Sequence, residues 1–139
     1  MRKVVAHYQD GNVVKGLTGN FLPGQDRFHM LEAGATMGSP PLEIRVRELK
    51  GLFFVNSLVG DPGRAKSNLF DPADRTPGHR IRVQFMDGEV MNGFTTDYAP
   101  GRMGFFVHPA DLHANTARCY VVASAVADIT FLQLAGEPR

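Results

Sequence analysis

The chain has 139 residues, a net charge of +1 and 21% charged residues, which excludes a strongly basic nucleic-acid protein and an acidic tail protein. Its one cysteine, Cys119, excludes an internal disulfide framework and fits a reducing compartment. No apolar run approaches a membrane span, and a strand pattern starts almost at Met1 with no visible signal peptide, so the expectation is a soluble cytoplasmic protein.

In chain order, Val4, Ala6 and Tyr8 alternate with their neighbours and predict a first strand. Asp10-Gly11 is a strong two-residue hairpin signal, because glycine takes positive φ without steric cost. A second strand runs over residues 13–18, with Gly16 inside it marking a bulge or a sharp bend. Pro23-Gly24 signals a turn, and residues 27–31 form a third strand. A loop with Gly38-Ser39-Pro40-Pro41 follows. The last two strands are predicted over residues 43–46 and 52–55, with room for one helical turn over residues 47–51. Residues 56–79 hold Gly60, Pro62, Gly63, Pro72, Pro77 and Gly78 and read as a connector, partly ordered through Leu58, Val59, Leu69 and Phe70.

After the connector the pattern returns. Val4 falls on Ile81, an offset of 77 positions (81 minus 4), and the offset holds without a gap over some fifty residues. Asp10 falls on Asp87, Gly11 on Gly88, Gly16 on Gly93, Thr18 on Thr95, Phe21 on Tyr98, Pro23 on Pro100, Phe28 on Phe105, Ile44 on Val121 and Phe54 on Phe131. Residues 1–55 and 80–139 therefore read as two copies of one all-β unit, the second with a short tail over residues 133–139. A unit of about 53 residues buries little core alone. The copies are expected to share an interface, or the chain to form a homo-oligomer. The neighbours of Cys119, Tyr120, Val121 and Val122, make it a buried strand residue and not a nucleophile.

Five short strands with a bent second strand resemble the small Sm-like or SH3-like barrel, so the predicted fold is two tandem five-stranded barrels. The resemblance rests on the Asp-Gly hairpin and the glycine in the bent strand, and fold does not imply function. The chain as a whole also resembles a bacterial domain family of unknown function found in delta-proteobacteria and relatives. The matching stretches are Asp26-Arg27-Phe28-His29-Met30, Leu49-Lys50-Gly51-Leu52-Phe53-Phe54-Val55, and Gly104-Phe105-Phe106-Val107-His108-Pro109-Ala110-Asp111. That resemblance implies no activity and no catalytic residues.

Candidate chemistry is sparse. His108, Asp111 and His113 offer three possible metal ligands in six residues. No second cluster completes a site, so they read as a polar loop with no metal. Residues 60–67 faintly resemble a phosphate loop, but the glycine spacing is wrong and Ala65 precedes Lys66. Arg75, Arg80 and Arg82 lie just ahead of and within the second copy. They resemble the arginines ahead of the barrel in PilZ-type cyclic-dinucleotide receptors, and arginine's planar fork suits phosphate. The Asp/Asn-x-Ser-x-x-Gly motif of that family is missing, because Asn56-Ser57-Leu58-Val59-Gly60 has the wrong spacing. The Asn and Arg-Gly patterns of Sm-type RNA readers are missing as well. No nucleophile motif is present. The functional expectation is a non-enzymatic cytoplasmic adaptor with an unknown protein partner and no cofactor. The alternative is an RNA- or nucleotide-binding module using the three arginines, and the near-neutral charge weighs against nucleic acid.

Overall fold

A computed structural model describes residues 1–60 and 67–132. Ten strands carry the fold: β1 (Arg2–Tyr8), β2 (Val13–Thr18), β3 (Arg27–Glu32), β4 (Leu42–Arg45), β5 (Leu49–Val55), β6 (His79–Phe85), β7 (Val90–Thr95), β8 (Gly104–Pro109), β9 (Thr116–Val122) and β10 (Val126–Phe131). Single 3-10 turns, Val46–Glu48 and Ala123–Ala125, join β4 to β5 and β9 to β10. Elements at the offset of 77 share their bounds closely: β2 begins at Val13 and β7 at Val90, β3 at Arg27 and β8 at Gly104. The helical turns are shorter than expected and β5 starts at Leu49, because the Leu49 side chain is buried in the core.

The hairpins differ from the predicted two-residue form. The amide of Gly11 donates to the carbonyl of Tyr8 at 3.1 Å, and that of Tyr8 donates to the carbonyl of Asn12 at 2.8 Å. Among the described residues only glycines have positive φ, so Asp10 does not take the second left-handed position that a two-residue Asp-Gly turn requires. The loop is one residue longer, with Gly11 at +95° as its left-handed residue, and Gly88 at +91° does the same between β6 and β7. Asp10 and Asp87 each accept the amide two residues on, at 2.9 Å.

Gly16 and Gly93 are required by close approach, not by an unusual φ. A Cβ on Gly16 would lie 2.1 Å from the carbonyl oxygen of Leu31, and one on Gly93 would lie 2.2 Å from that of His108. These are the points where β2 meets β3 and β7 meets β8, over two paired residues each.

Strand pairing gives one open antiparallel sheet in the order β10-β6-β7-β8-β9-β5-β1-β2-β3-β4. The all-β class and the expected contact between the copies are seen, with the two sets of five strands joined in one sheet through β5 and β9, because both faces of β9 carry buried apolar residues. Two cores result. One holds Val4, Ala6, Phe28, Met30, Ile44, Leu49, Leu52 and Phe54; the other holds Ile81, Val83, Phe85, Phe105, Val107 and Ala125. Within the first five strands, β4 and β5 are four spacings apart, roughly 19 Å if flat. Ile44 and Leu52 nevertheless share a core, so the sheet curls back on itself.

The buried hydroxyls are satisfied in both halves. Thr18 Oγ1 donates to the carbonyl of His29 at 2.7 Å, while Thr95 Oγ1 lies 3.3 Å from Asp97 Oδ1. Asn20 and Asp97, themselves 77 apart, accept the amides of His29 and Phe106. Within the connector, Phe70 packs edge-on against Phe94 with ring centroids 5.3 Å apart, and Asn68 bonds β7 at Val90 and Asn92. Val59 and Leu69, expected to pack, are exposed.

Candidate binding surfaces

The sequence-predicted residues do not converge on one site. Arg75 is exposed in the connector. Arg80 and Arg82 alternate with buried Ile81 and Val83 and so share the outer face of β6. The Arg80 guanidinium lies 5.5 Å from the ring centroid of Phe70 and 5.8 Å from that of Phe94, and Arg82 is exposed beside it. His108 and His113 are exposed, and Asp111 Oδ1 accepts the amide of His113 at 3.0 Å as a turn-forming carboxylate. Among the described residues no group of three or more His, Cys, Asp or Glu side chains could hold a metal ion. Six residues of the phosphate-loop-like stretch, 61–66, lie outside the described residues.

The surfaces with developed chemistry lie instead at the junction and at the sheet edge. Leu52 of β5 faces Tyr120 of β9 in register, and Phe54 faces Arg118. Strand β9 serves two cores: Cys119 and Val121 enter the second, while Tyr120 and Val122 enter the first. The Tyr120 ring packs 5.1 Å from Phe21 and 5.2 Å from Phe106, and its hydroxyl accepts the amide of Gly24 at 3.4 Å. Burial pushes the Tyr120 phenol above its ordinary value. Gly104 makes the room, since a Cβ there would lie 2.7 Å from that ring.

Arg118 covers the far side of the cluster, 4.5 Å from the Phe54 centroid and 4.3 Å from that of Phe106. Burial first, then the charge of Arg2, hold its guanidinium below the ordinary value. Lys50 ties the halves together on the other face. Its ammonium donates to Asp87 at 2.7 Å and to Glu89 at 3.0 Å, and it lies 4.7 Å from the Phe85 centroid. Asp87 thus has a second task beyond its turn, which the repeat pairing with Asp10 did not reveal. Beside the junction, a cleft of about 840 Å³ opens between Pro23-Gly24 of one half and Gly101, Arg102 and Met103 of the other, with Tyr120 in its wall.

The same aromatic arrangement stands uncovered in the second half. Phe21 packs at 5.2 Å on Phe28 and 5.8 Å on Phe54; at the positions 77 further on, Tyr98 packs at 5.1 Å on Phe105 and 5.5 Å on Phe131. Phe54 is 5% exposed, whereas Phe131 is 51% exposed. A groove of about 390 Å³ runs between Tyr98, Pro100, Phe105 and Ile129, with the charged side chains Arg102 and Asp128 also in its lining. Among the described residues β10 pairs only with β6, and β4 only with β3.

The apolar run Cys119-Tyr120-Val121-Val122 was the available signal for a strand buried on both faces. At the corresponding places Leu42-Glu43-Ile44-Arg45 alternates instead.

No helix among the described residues is long and apolar enough to cross a membrane. No curated protein and no solved structure matches the chain. A family model, described as a family of unknown function (DUF6982), matches residues 1–133. The chain belongs to that family of unknown function, DUF6982.

Proposed function

We propose that the chain is two copies of one small Sm-like or SH3-like barrel unit, fused through β5 and β9, and that it acts as a non-enzymatic protein-interaction module in the cytoplasm. The observation that carries this reading is the edge of β10, a strand that among the described residues pairs on one side only, with a half-exposed phenylalanine beside a groove of mixed aromatic and charged lining. Exposed sheet edges of this kind take up extended segments of other proteins. The junction cleft adds a second concave surface built from both halves. The single, buried thiol of Cys119 is compatible with a reducing compartment.

The test is a pull-down with the tagged full-length chain from host lysate, divided for protein mass spectrometry and for nucleic-acid recovery. The expected result is a specific protein that survives nuclease treatment. Enriched RNA that withstands moderate salt would overturn the reading.

One observation favours a nucleotide-binding alternative at Arg75, Arg80 and Arg82: two of the three share a face, and Arg80 lies over two aromatic rings. On that reading the purified protein would carry material absorbing near 260 nm, and Arg80→Ala with Arg82→Ala would remove it.

A further inference from the structure

The junction inside the chain shows what a β5-type edge accepts. Strand β9 lies antiparallel on β5, with Tyr120 opposite Leu52 and Arg118 opposite Phe54. Tyr120 fills the notch of Phe21, Pro23 and Gly24. The corresponding edge of the second half is β10. There Ile129 takes the place of Leu52, Phe131 that of Phe54, and Tyr98, Pro100 and Gly101 those of Phe21, Pro23 and Gly24. Its notch is the open 390 Å³ groove.

We propose that β10 is a docking edge for an extended segment of another protein, laid antiparallel and carrying arginine, an aromatic residue and a branched aliphatic residue at alternate positions. The arginine would face Phe131, the aromatic residue would face Ile129 and fill the groove beside Tyr98, and the aliphatic residue would follow two places on. This inference rests on the interaction reading above and on the equivalence of the two halves.

The chain's own β4 is the other strand that the same operation would place there, and its residues do not fit. Where β9 has Arg118, Tyr120 and Val122, β4 and the residue before it have Pro41, Glu43 and Arg45. Glu43 is held by Arg27 at 2.8 Å, and Arg27 stands at the position where Gly104 makes room for Tyr120. A short edge flanked by proline and closed by an ion pair resists further pairing. Strand β4 therefore terminates the sheet, and β10 remains receptive.

The probe is a fluorescently labelled peptide of residues 116–122 with Cys119→Ser, titrated against the full-length chain by anisotropy. Amide shifts of the labelled protein map its position. The expected result is saturable binding with shifts centred on residues 128–131. Binding should weaken at least about tenfold when the peptide carries Tyr120→Glu, and likewise when the protein carries Phe131→Ser or Tyr98→Ser. The thermal transitions of both protein variants should be retained, since neither side chain belongs to the fully buried set.

The proposal would be overturned by no binding, by binding indifferent to Phe131 and Tyr98, or by shifts centred on residues 51–54 from displacement of β9. Self-association in sedimentation that Phe131→Ser abolishes would make a second copy the occupant and overturn it too. A protein captured from lysate equally by wild type and Phe131→Ser would leave the interaction reading standing while this edge fails. RNA capture alongside saturable peptide binding would do the reverse.

Discussion

Two glycines that look alike in the sequence, Gly88 and Gly93, are needed for different physical reasons. Gly88 sits at φ +91° with nothing near its missing Cβ, so a substitution there meets backbone strain. Gly88→Ala should cost about 1–2 kcal/mol. Gly93 has an ordinary φ but no room, with His108 carbonyl oxygen at 2.2 Å and Val107 Cγ1 at 2.6 Å from a built Cβ. Gly93→Val should cost about 3 kcal/mol and loosen β7 from β8. Urea unfolding of the two variants checks both figures, and a Gly93→Val protein as stable as wild type would refute the close-approach argument. Cys119 gives an independent residue-scale check. Its side chain is fully buried, and burial pushes the thiol far above its ordinary value. The thiolate is the reacting form, so the native protein should resist a thiol reagent until it unfolds.

At the scale of elements, the contact between β5 and the β6–β7 hairpin is electrostatic and has a calculable pH signature. The Asp87 carboxyl is held below its ordinary value of 3.8, first by the Lys50 hydrogen bond and then by the amide of Glu89. A carboxyl with a lowered folded value contributes stability that is complete above 3.8 and is lost as pH falls through the lower value. Burial works to lower the Lys50 ammonium, but its bonds to Asp87 and Glu89 outweigh this and raise it above 10.5. Its contribution is complete below 10.5 and fades as pH rises through the raised value. Asp87→Asn should lower the Tm modestly at neutral pH, where the contribution is complete, and converge with wild type in acid, so that the limb of the Tm-against-pH curve below about pH 4 flattens. Lys50→Met should flatten both limbs and cost about 1 kcal/mol at pH 7, since both acids are about half exposed. An unaltered acid limb in Asp87→Asn would show that the bridge does not form in solution. The hairpin itself was readable from Asp87-Gly88, because turn chemistry is local. The bridge was not, because Lys50 is 37 residues from Asp87 and falls, at the offset of 77, on Ala127, which has no charge to pair.

For the whole molecule, the decisive feature is that one strand belongs to two cores. Strand positions were legible from the alternation of side chains and from the offset of 77, since both depend on neighbours within a few residues. How the two halves meet was not. That depends on the second face of β9, where Tyr120 and Val122 replace Glu43 and Arg45, and such differences look like drift until the register of β5 against β9 is known. Arg80 and Arg82 share the outer face of β6 with Arg75 in the connector before it, while the groove beside Tyr98 was not legible because each of its rings alone reads as core. The shared strand has a thermodynamic consequence. Without β9 the first core lacks Tyr120 and Val122 and exposes Leu52 and Phe54 along the β5 edge. The halves should therefore unfold together, in a single calorimetric transition whose van't Hoff and calorimetric enthalpies agree. Tyr120→Ala removes a ring that is 2% exposed and should lower the stability of the whole molecule by about 3–5 kcal/mol, moving one transition and not splitting it. Residues 1–60 alone should fail to give a cooperative melt. Two resolved transitions in the intact chain, or a folded 1–60 fragment, would mean that each half closes its own core and that β9 only borders the first.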